Sequence, residues 1–209
     1  MSRRFFLSDV VYETTDSRQD IQINPGKRCQ MSDRAFSFDI TVNGRAYGKR
    51  FFTLRQGESL DHVILKLTGF ILFCRYEPSV EMPVGWKYRP DLVSLDDSGR
   101  PALWVECADV APSKLRRVLQ RYTGTNIAVL KITRHDALHF SRNMTREGEK
   151  SSHLEILGFD EGFIADFCTL IRDRATIKAD VSETDLTVQW DRISLASKIH
   201  RFRNAHQCP

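Results

Sequence analysis

The chain has 209 residues, 41% of them hydrophobic and 28% charged, with 31 basic against 27 acidic side chains for a formal charge of +4. This length and balance suit one globular domain with or without extensions, and no internal repeat or low-complexity tract is present. The longest apolar stretch, Val63 to Cys74, is interrupted by Lys66, Thr68 and Gly69 and falls short of the ~20 residues a spanning helix needs; Phe5-Phe6-Leu7 meets Asp9 too soon for a signal peptide. A cytoplasmic protein with no membrane association is therefore expected.

Residues 1–33 carry no sustained period and are broken by Asn24-Pro25-Gly26, so a strand or two with loops, or an arm over the core, is expected there. Phe36, Phe38, Ile40 and Val42 then alternate with polar residues up to Asn43-Gly44, a hairpin signal, with the returning strand over 46–54. A helix over 59–73 follows, with Leu60, Val63, Ile64, Leu67, Phe70 and Ile71 on its apolar face and Glu58 at its amino end. An acid in that place is favoured by the helix dipole whatever else it does.

A second hairpin runs from Asp91 through Leu95, turns at Asp96-Asp97-Ser98-Gly99-Arg100, and returns through Trp104 to Glu106. Antiparallel pairing sets the Asp91 and Glu106 ends side by side, where two carboxylates can share a divalent cation. Pro112 opens a helix with Leu115, Val118, Leu119 and Tyr122 on one face, and residues 125–132, with Ile127, Val129 and Leu130 in a nearly continuous apolar run, are expected as a strand covered on both faces. Residues 134–151 hold many charges and read as a loop or short helix. A strand at 154–157, a helix over 161–174 and a hairpin of 176–181 with 186–190 close the domain, and a basic, partly ordered extension follows residue 193.

Helix, hairpin, helix and buried strand in this order specify an α+β fold with a mixed sheet flanked by helices. Cys29, Cys74, Cys107, Cys168 and Cys208 are odd in number and lack C-x-x-C spacing, so they read as free thiols, with Cys74 and Cys168 expected in the core. His135 and His139 stand at helical spacing without an obvious third metal ligand. His62 reads as a surface or satisfied core histidine. Basic residues gather at Lys114, Arg116, Arg117 and Arg121, and again at Lys198, His200, Arg201 and Arg203, either as solvated faces or as surfaces for a polyanion. Trp104 is expected in the core. Trp86, Tyr88 and Arg89 lie on a connection where they either decorate the surface or stack on a base and grip phosphate.

Arg55-Gln56-Gly57-Glu58-Ser59-Leu60-Asp61, the helix behind it, the segment from Asp91 to Glu106, Lys114-Leu115-Arg116-Arg117 and the closing Leu186-Thr187-Val188-Gln189-Trp190 together resemble the YaeQ family over residues 34–192. Residues 1–33 would then be an N-terminal extension and 193–209 a basic C-terminal one. That family is similar to PD-(D/E)XK nucleases, with their restriction-endonuclease-like core. The resemblance implies that Glu58 is the acid of the first core helix, Asp91 the PD aspartate and Glu106 the second acid. Together with the main-chain carbonyl of Cys107, these would hold Mg or Mn for phosphodiester hydrolysis. The motif lysine is missing, because Ala108 stands in its place. Lys114, Arg116 or Arg117 on the next helix would have to supply its charge, with Lys114 the chemically closest substitute. Two functions follow: a metal-dependent nuclease or nuclease-like phosphodiesterase acting through Glu58, Asp91, Glu106 and a displaced basic residue, or a silent module of the same fold that binds nucleic acid or a protein partner.

Overall fold

A computed structural model of the chain describes residues 3–7, 10–14, 33–146 and 151–203. The segment up to Asp33 is a unit by itself, containing an antiparallel pair of strands, β1 (Arg3–Leu7) and β2 (Val10–Thr14). The Asn24-Pro25-Gly26 break lies outside the described residues, as do Cys29 and Cys208.

The main unit begins with β3 (Arg34–Val42) and β4 (Arg45–Leu54), joined by the expected Asn43-Gly44 turn, whose two residues both adopt positive φ. Phe36, Phe38, Ile40 and Val42 all face inward and are buried, as period-two alternation requires. The helix α1 (Leu60–Leu72) starts at an Ser59 cap, whose hydroxyl accepts from the His62 amide at 3.3 Å. Every residue from Val63 to Ile71 is buried, including Lys66 and Thr68, so α1 is enclosed on all sides rather than on one face.

After a short turn the chain forms β5 (Ser79–Val80), β6 (Leu92–Leu95) and β7 (Pro101–Cys107), then α2 (Pro112–Arg121), β8 (Asn126–Thr133), α3 (Arg134–Arg146) and β9 (Leu154–Phe159). It ends with α4 (Phe163–Leu170), β10 (Arg174–Val181), β11 (Asp185–Trp190), β12 (Ile193–Lys198) and β13 (His200–Arg203). These strands make a five-stranded sheet in the order β12-β11-β10-β3-β4 and a six-stranded sheet in the order β13-β9-β8-β7-β6-β5.

The strands β7, β8 and β9 run parallel, and their crossovers are the helices α2 and α3. One face of this sheet receives α2 and α3, with Trp104, Ile127, Val129 and Ile156 packing against Leu115, Val118, Phe140 and Met144. The other face presents Leu103, Val105, Ala128, Leu130 and Leu157 to a larger core that contains α1, α4 and the inward residues of the five-stranded sheet. Thus α1 and α4 form a layer between the two sheets. The fold is the expected α+β arrangement, with two mixed sheets where one was expected.

Three other expectations need correction. Within residues 134–151, read as a loop or short helix, Arg134–Arg146 form a helix of 13 residues. Its buried positions Ala137, Phe140, Ser141 and Met144 follow helical spacing, but they are few, and charged residues between them masked the period. The helix expected over 161–174 is shorter, because the chain is already extended at Ile171 and the Asp173 carbonyl accepts from Ser37 to start the parallel pairing of β10 with β3. Residues 193–203, expected as a partly ordered extension, are an edge strand of each sheet.

Candidate functional site

Glu58, His62 and Lys66 recur every four residues and so form one stripe along α1 and its entry turn. Glu58 accepts from the Arg55 amide at 3.1 Å and lies 3.3 Å from Lys66 Nζ. His62 bridges two acids, with Nδ1 3.6 Å from Glu58 and Nε2 3.1 Å from Asp91 Oδ1. The Lys66 ammonium, wholly buried, also donates to Glu81 Oε1 at 2.6 Å and to the Thr53 carbonyl at 3.4 Å. Arg55 pairs with the second oxygen of Glu81, and Arg89 donates to the Glu81 carbonyl.

Asp91 stands just before β6, and the register of β6 with β7 sets it opposite Glu106. Its second oxygen accepts from the Cys107 amide at 2.7 Å. Glu106 instead meets α2: Trp104 Nε1 donates to one oxygen at 2.8 Å and Lys114 Nζ to the other at 2.7 Å. Burial pushes the Glu106 carboxyl above the ordinary 4.5, against the charge and hydrogen bond of Lys114. Burial likewise raises the enclosed Cys107 thiol, with Asp91 and Glu106 adding to the effect.

The structure therefore joins Glu58 to Asp91 through His62, and Glu106 to Lys114, but Glu106 shares no cation with the other two. Arg117 points to neither acid and donates to the Tyr88 hydroxyl at 2.8 Å. Position 108 has left-handed backbone, with φ of 58° at Ala108, and the Ala108 carbonyl accepts from Lys131 Nζ at 2.7 Å. Burial holds the Lys131 ammonium below the usual lysine range, opposed by Asp109 and Asp136.

A divalent ion at these acids would compete with the chain's own donors. Each carboxylate oxygen of Glu58, Asp91 and Glu106 is engaged by a side-chain cation, a histidine nitrogen or an N–H donor of the chain. Among the described residues no group of three or more His, Cys, Asp or Glu side chains is gathered to hold a metal. An ion would have to displace Lys114 or His62 first. His135 and His139 are both exposed on α3, where His139 lies 3.4 Å from Asn143.

Sequence reasoning missed Lys66 and Glu81 as members of this cluster. Lys66 did leave a signal, as a charge in the middle of the longest apolar run, which is tolerated only beside compensating acids. Glu81 left none: it lies in an irregular connection with φ of 49°, held by its amide bond to the Asp91 carbonyl.

Beside Glu106 and Lys114 lies a face of rings and cations. Trp86 and Tyr88, both half-buried, meet edge to face at 4.7 Å, and Trp86 meets Trp104 and Tyr122 in the same manner. Arg121 lies 5.2 Å above the Trp86 ring and Lys87 5.0 Å above that of Tyr88. Although burial raises it, Arg117 and Lys87 bring the Tyr88 phenol below its ordinary 10.0. The second basic group is neutralised within the fold: Arg201 and Arg203 pair with Glu155, Lys198 with Asp185 and His200 with Asp160.

No described helix is long and apolar enough to cross a membrane. The sequence matches no curated protein. Solved structures that share the fold include the YaeQ protein of Xanthomonas axonopodis pv. citri, 17% identical with a TM-score of 0.65 over 82% of this chain and 97% of that one, and the YaeQ protein of Pseudomonas syringae, 12% identical with a TM-score of 0.65 over 83% and 97%. The family model for the YaeQ protein matches residues 42–199, which takes in α1, the Asp91–Glu106 hairpin and α2, and the chain therefore belongs to the YaeQ family.

Proposed function

We propose that this YaeQ-family protein is a nucleic-acid-binding module on a nuclease-like scaffold and has no hydrolytic step of its own. The observation that carries the reading is the face made by Trp86, Lys87, Tyr88, Arg117 and Arg121, where Lys87 and Arg121 lie over aromatic rings and Arg117 donates to the Tyr88 hydroxyl. Such a surface offers phosphate contacts from guanidinium and ammonium groups and ring edges or faces for bases. The neighbouring acids support the same reading, since they are already engaged by His62, Lys66 and Lys114.

Fluorescence anisotropy with labelled single-stranded and duplex DNA and RNA tests it. Affinity is expected to fall steeply between about 50 and 200 mM salt, to be indifferent to Mg, and to weaken in Arg117→Ala and Arg121→Ala, each reducing the salt slope by about one. If none of the four nucleic acids binds in a salt-dependent way, the reading fails and a protein partner takes its place.

Metal-dependent phosphodiester hydrolysis is the second reading, and one observation favours it. Asp91 and Glu106 stand opposite each other in the hairpin, and Lys114 reaches Glu106 from α2, so a basic group is present although position 108 lacks one. Glu58, Asp91 and Glu106 would hold Mg or Mn, which would supply a polarised phosphoryl oxygen and a more nucleophilic water. Lys114, freed from Glu106, would steady the charge on phosphate. Cleavage of the same oligonucleotides with Mg or Mn, abolished in folded Asp91→Asn and Glu106→Gln proteins, is the result that would favour this reading over the first.

A further inference from the structure

The Lys66 ammonium lies at the centre of the enclosed helix α1 with no solvent exposure. A charge there is costly unless its hydrogen-bonding directions and its field are both compensated. Both are: Glu81 lies at 2.6 Å, Glu58 at 3.3 and 3.5 Å through its two oxygens, and the Thr53 carbonyl at 3.4 Å. Three acceptor groups answer the three protons of an ammonium. Glu81 is itself fixed from two sides, by Arg55 on its other oxygen and by backbone bonds that hold it at positive φ.

We infer that Glu58, Glu81 and the Thr53 carbonyl form a cation cage whose resident ion is the side chain of Lys66, so that these two acids need no metal. The spacing agrees with an ammonium and not with magnesium. The oxygens stand 2.6 to 3.5 Å from the nitrogen, whereas Mg needs near-octahedral oxygens at about 2.0–2.1 Å. Contraction to that distance is resisted by what anchors the cage: Glu58 to the Arg55 amide, Glu81 to Arg55, and Thr53 within β4. Calcium, which takes oxygens at about 2.3–2.6 Å in flexible geometry, is the divalent ion that the emptied cage would suit better.

The inference does not rest on nucleic-acid binding, and its test contains no nucleic acid. Isothermal calorimetry and thermal unfolding of the full chain with MgCl2, MnCl2 or CaCl2 alone are expected to show no binding heat and no shift of the midpoint up to millimolar ion. Folded Lys66→Ala, with its two carboxylates left facing a void, is expected to melt lower and to regain about 3 °C or more in CaCl2 at tenfold excess over its Kd, with a smaller response to MgCl2. Two results overturn the inference: millimolar or tighter Mg or Mn binding by the unsubstituted protein that disappears in Glu58→Gln, or a folded Lys66→Ala protein indifferent to all three ions. Should Lys66→Ala fail to fold, the titration of the unsubstituted chain decides alone. Metal binding there would sink the cage and leave the proposed function to its own test.

Discussion

Glu106 brings a carboxylate to 3% exposure between β7 and α2, and its neighbours set what that costs. Because its folded carboxyl titrates above the ordinary 4.5, the stability linked to this group is full below that value and is lost as pH rises through the folded pKa. Lys114 limits the loss by its charge and its 2.7 Å bond. Lys114→Met is therefore expected to cost about 2 kcal/mol near pH 8 and progressively less as the pH falls toward that of a free glutamic acid. Urea unfolding across this range reads the difference, and Lys114→Met combined with Glu106→Gln should recover most of it. A penalty that does not vary with pH would mean that Lys114 acts through the packing of its methylenes instead. The acids of this site were legible because each has a fixed place relative to a hairpin or a helix start. Their partners were less so: Lys114 was expected on α2 as a substitute base, but Glu81 depends on a connection whose path no periodicity encodes. Cys168, expected in the core, is half-buried and donates to Asp61 at 3.2 Å, and burial with that contact raises its thiol to about 12.

At the scale of elements, α3 shows how a helix escapes a reading based on apolar period. Its start is specified by polar chemistry, since Thr133 Oγ1 accepts from the Asp136 amide at 3.1 Å and donates to the Asp136 carboxylate at 2.8 Å. The Thr133-x-x-Asp136 spacing was available in the sequence and is the signal that could have found it. Close approach of α3 to β9 is then set by Gly158, where an added Cβ would meet the Thr133 carbonyl oxygen at 2.3 Å and Ala137 Cβ at 2.8 Å. Neither neighbour can rotate away. Gly69 on α1 differs, because its nearest obstacles are the side-chain ends Leu92 Cδ1 at 2.9 Å and Leu130 Cδ2 at 3.2 Å. Gly158→Ala is accordingly expected to destabilise by about 2–3 kcal/mol and Gly69→Ala by less, as denaturant midpoints would show. The reverse ranking would mean that α3 shifts more readily than the side chains around α1.

For the whole molecule, the decisive feature is that one buried cluster contains residues of both sheets together with α1 and α4. The sheets are also linked by the chain itself. β12 borders the five-stranded sheet, β13 borders the six-stranded one, and only Ile199, buried, separates them. Asp160, at the end of β9, ties down this crossing by accepting from the Lys198 amide at 2.8 Å and lying 2.7 Å from His200 Nε2; these contacts hold its carboxyl below the usual range. A chain ending at Arg192 is expected to lose cooperative thermal unfolding, which circular dichroism would reveal as a broad, shallow transition. A sharp transition from such a chain would show that the link is dispensable. Composition had suggested a basic tail here because Lys198, His200, Arg201 and Arg203 lie close in sequence. Their acidic partners, Asp185, Asp160 and Glu155, come from three other places in the chain, so only the fold reveals the neutralisation.

The crossing from β12 to β13 also bears on the order of assembly during synthesis. β3 cannot complete its parallel pairing until β10 has been made, more than a hundred residues later, and one outer strand of each sheet, β12 and β13, follows later still. A nascent chain would thus leave the ribosome with α1 and its enclosed lysine waiting for a second wall, and the edges of β9 and β11 open to other strands. This domain closes from its last-made end, which makes the interval before residues 193–203 emerge the time when a chaperone would matter most to it.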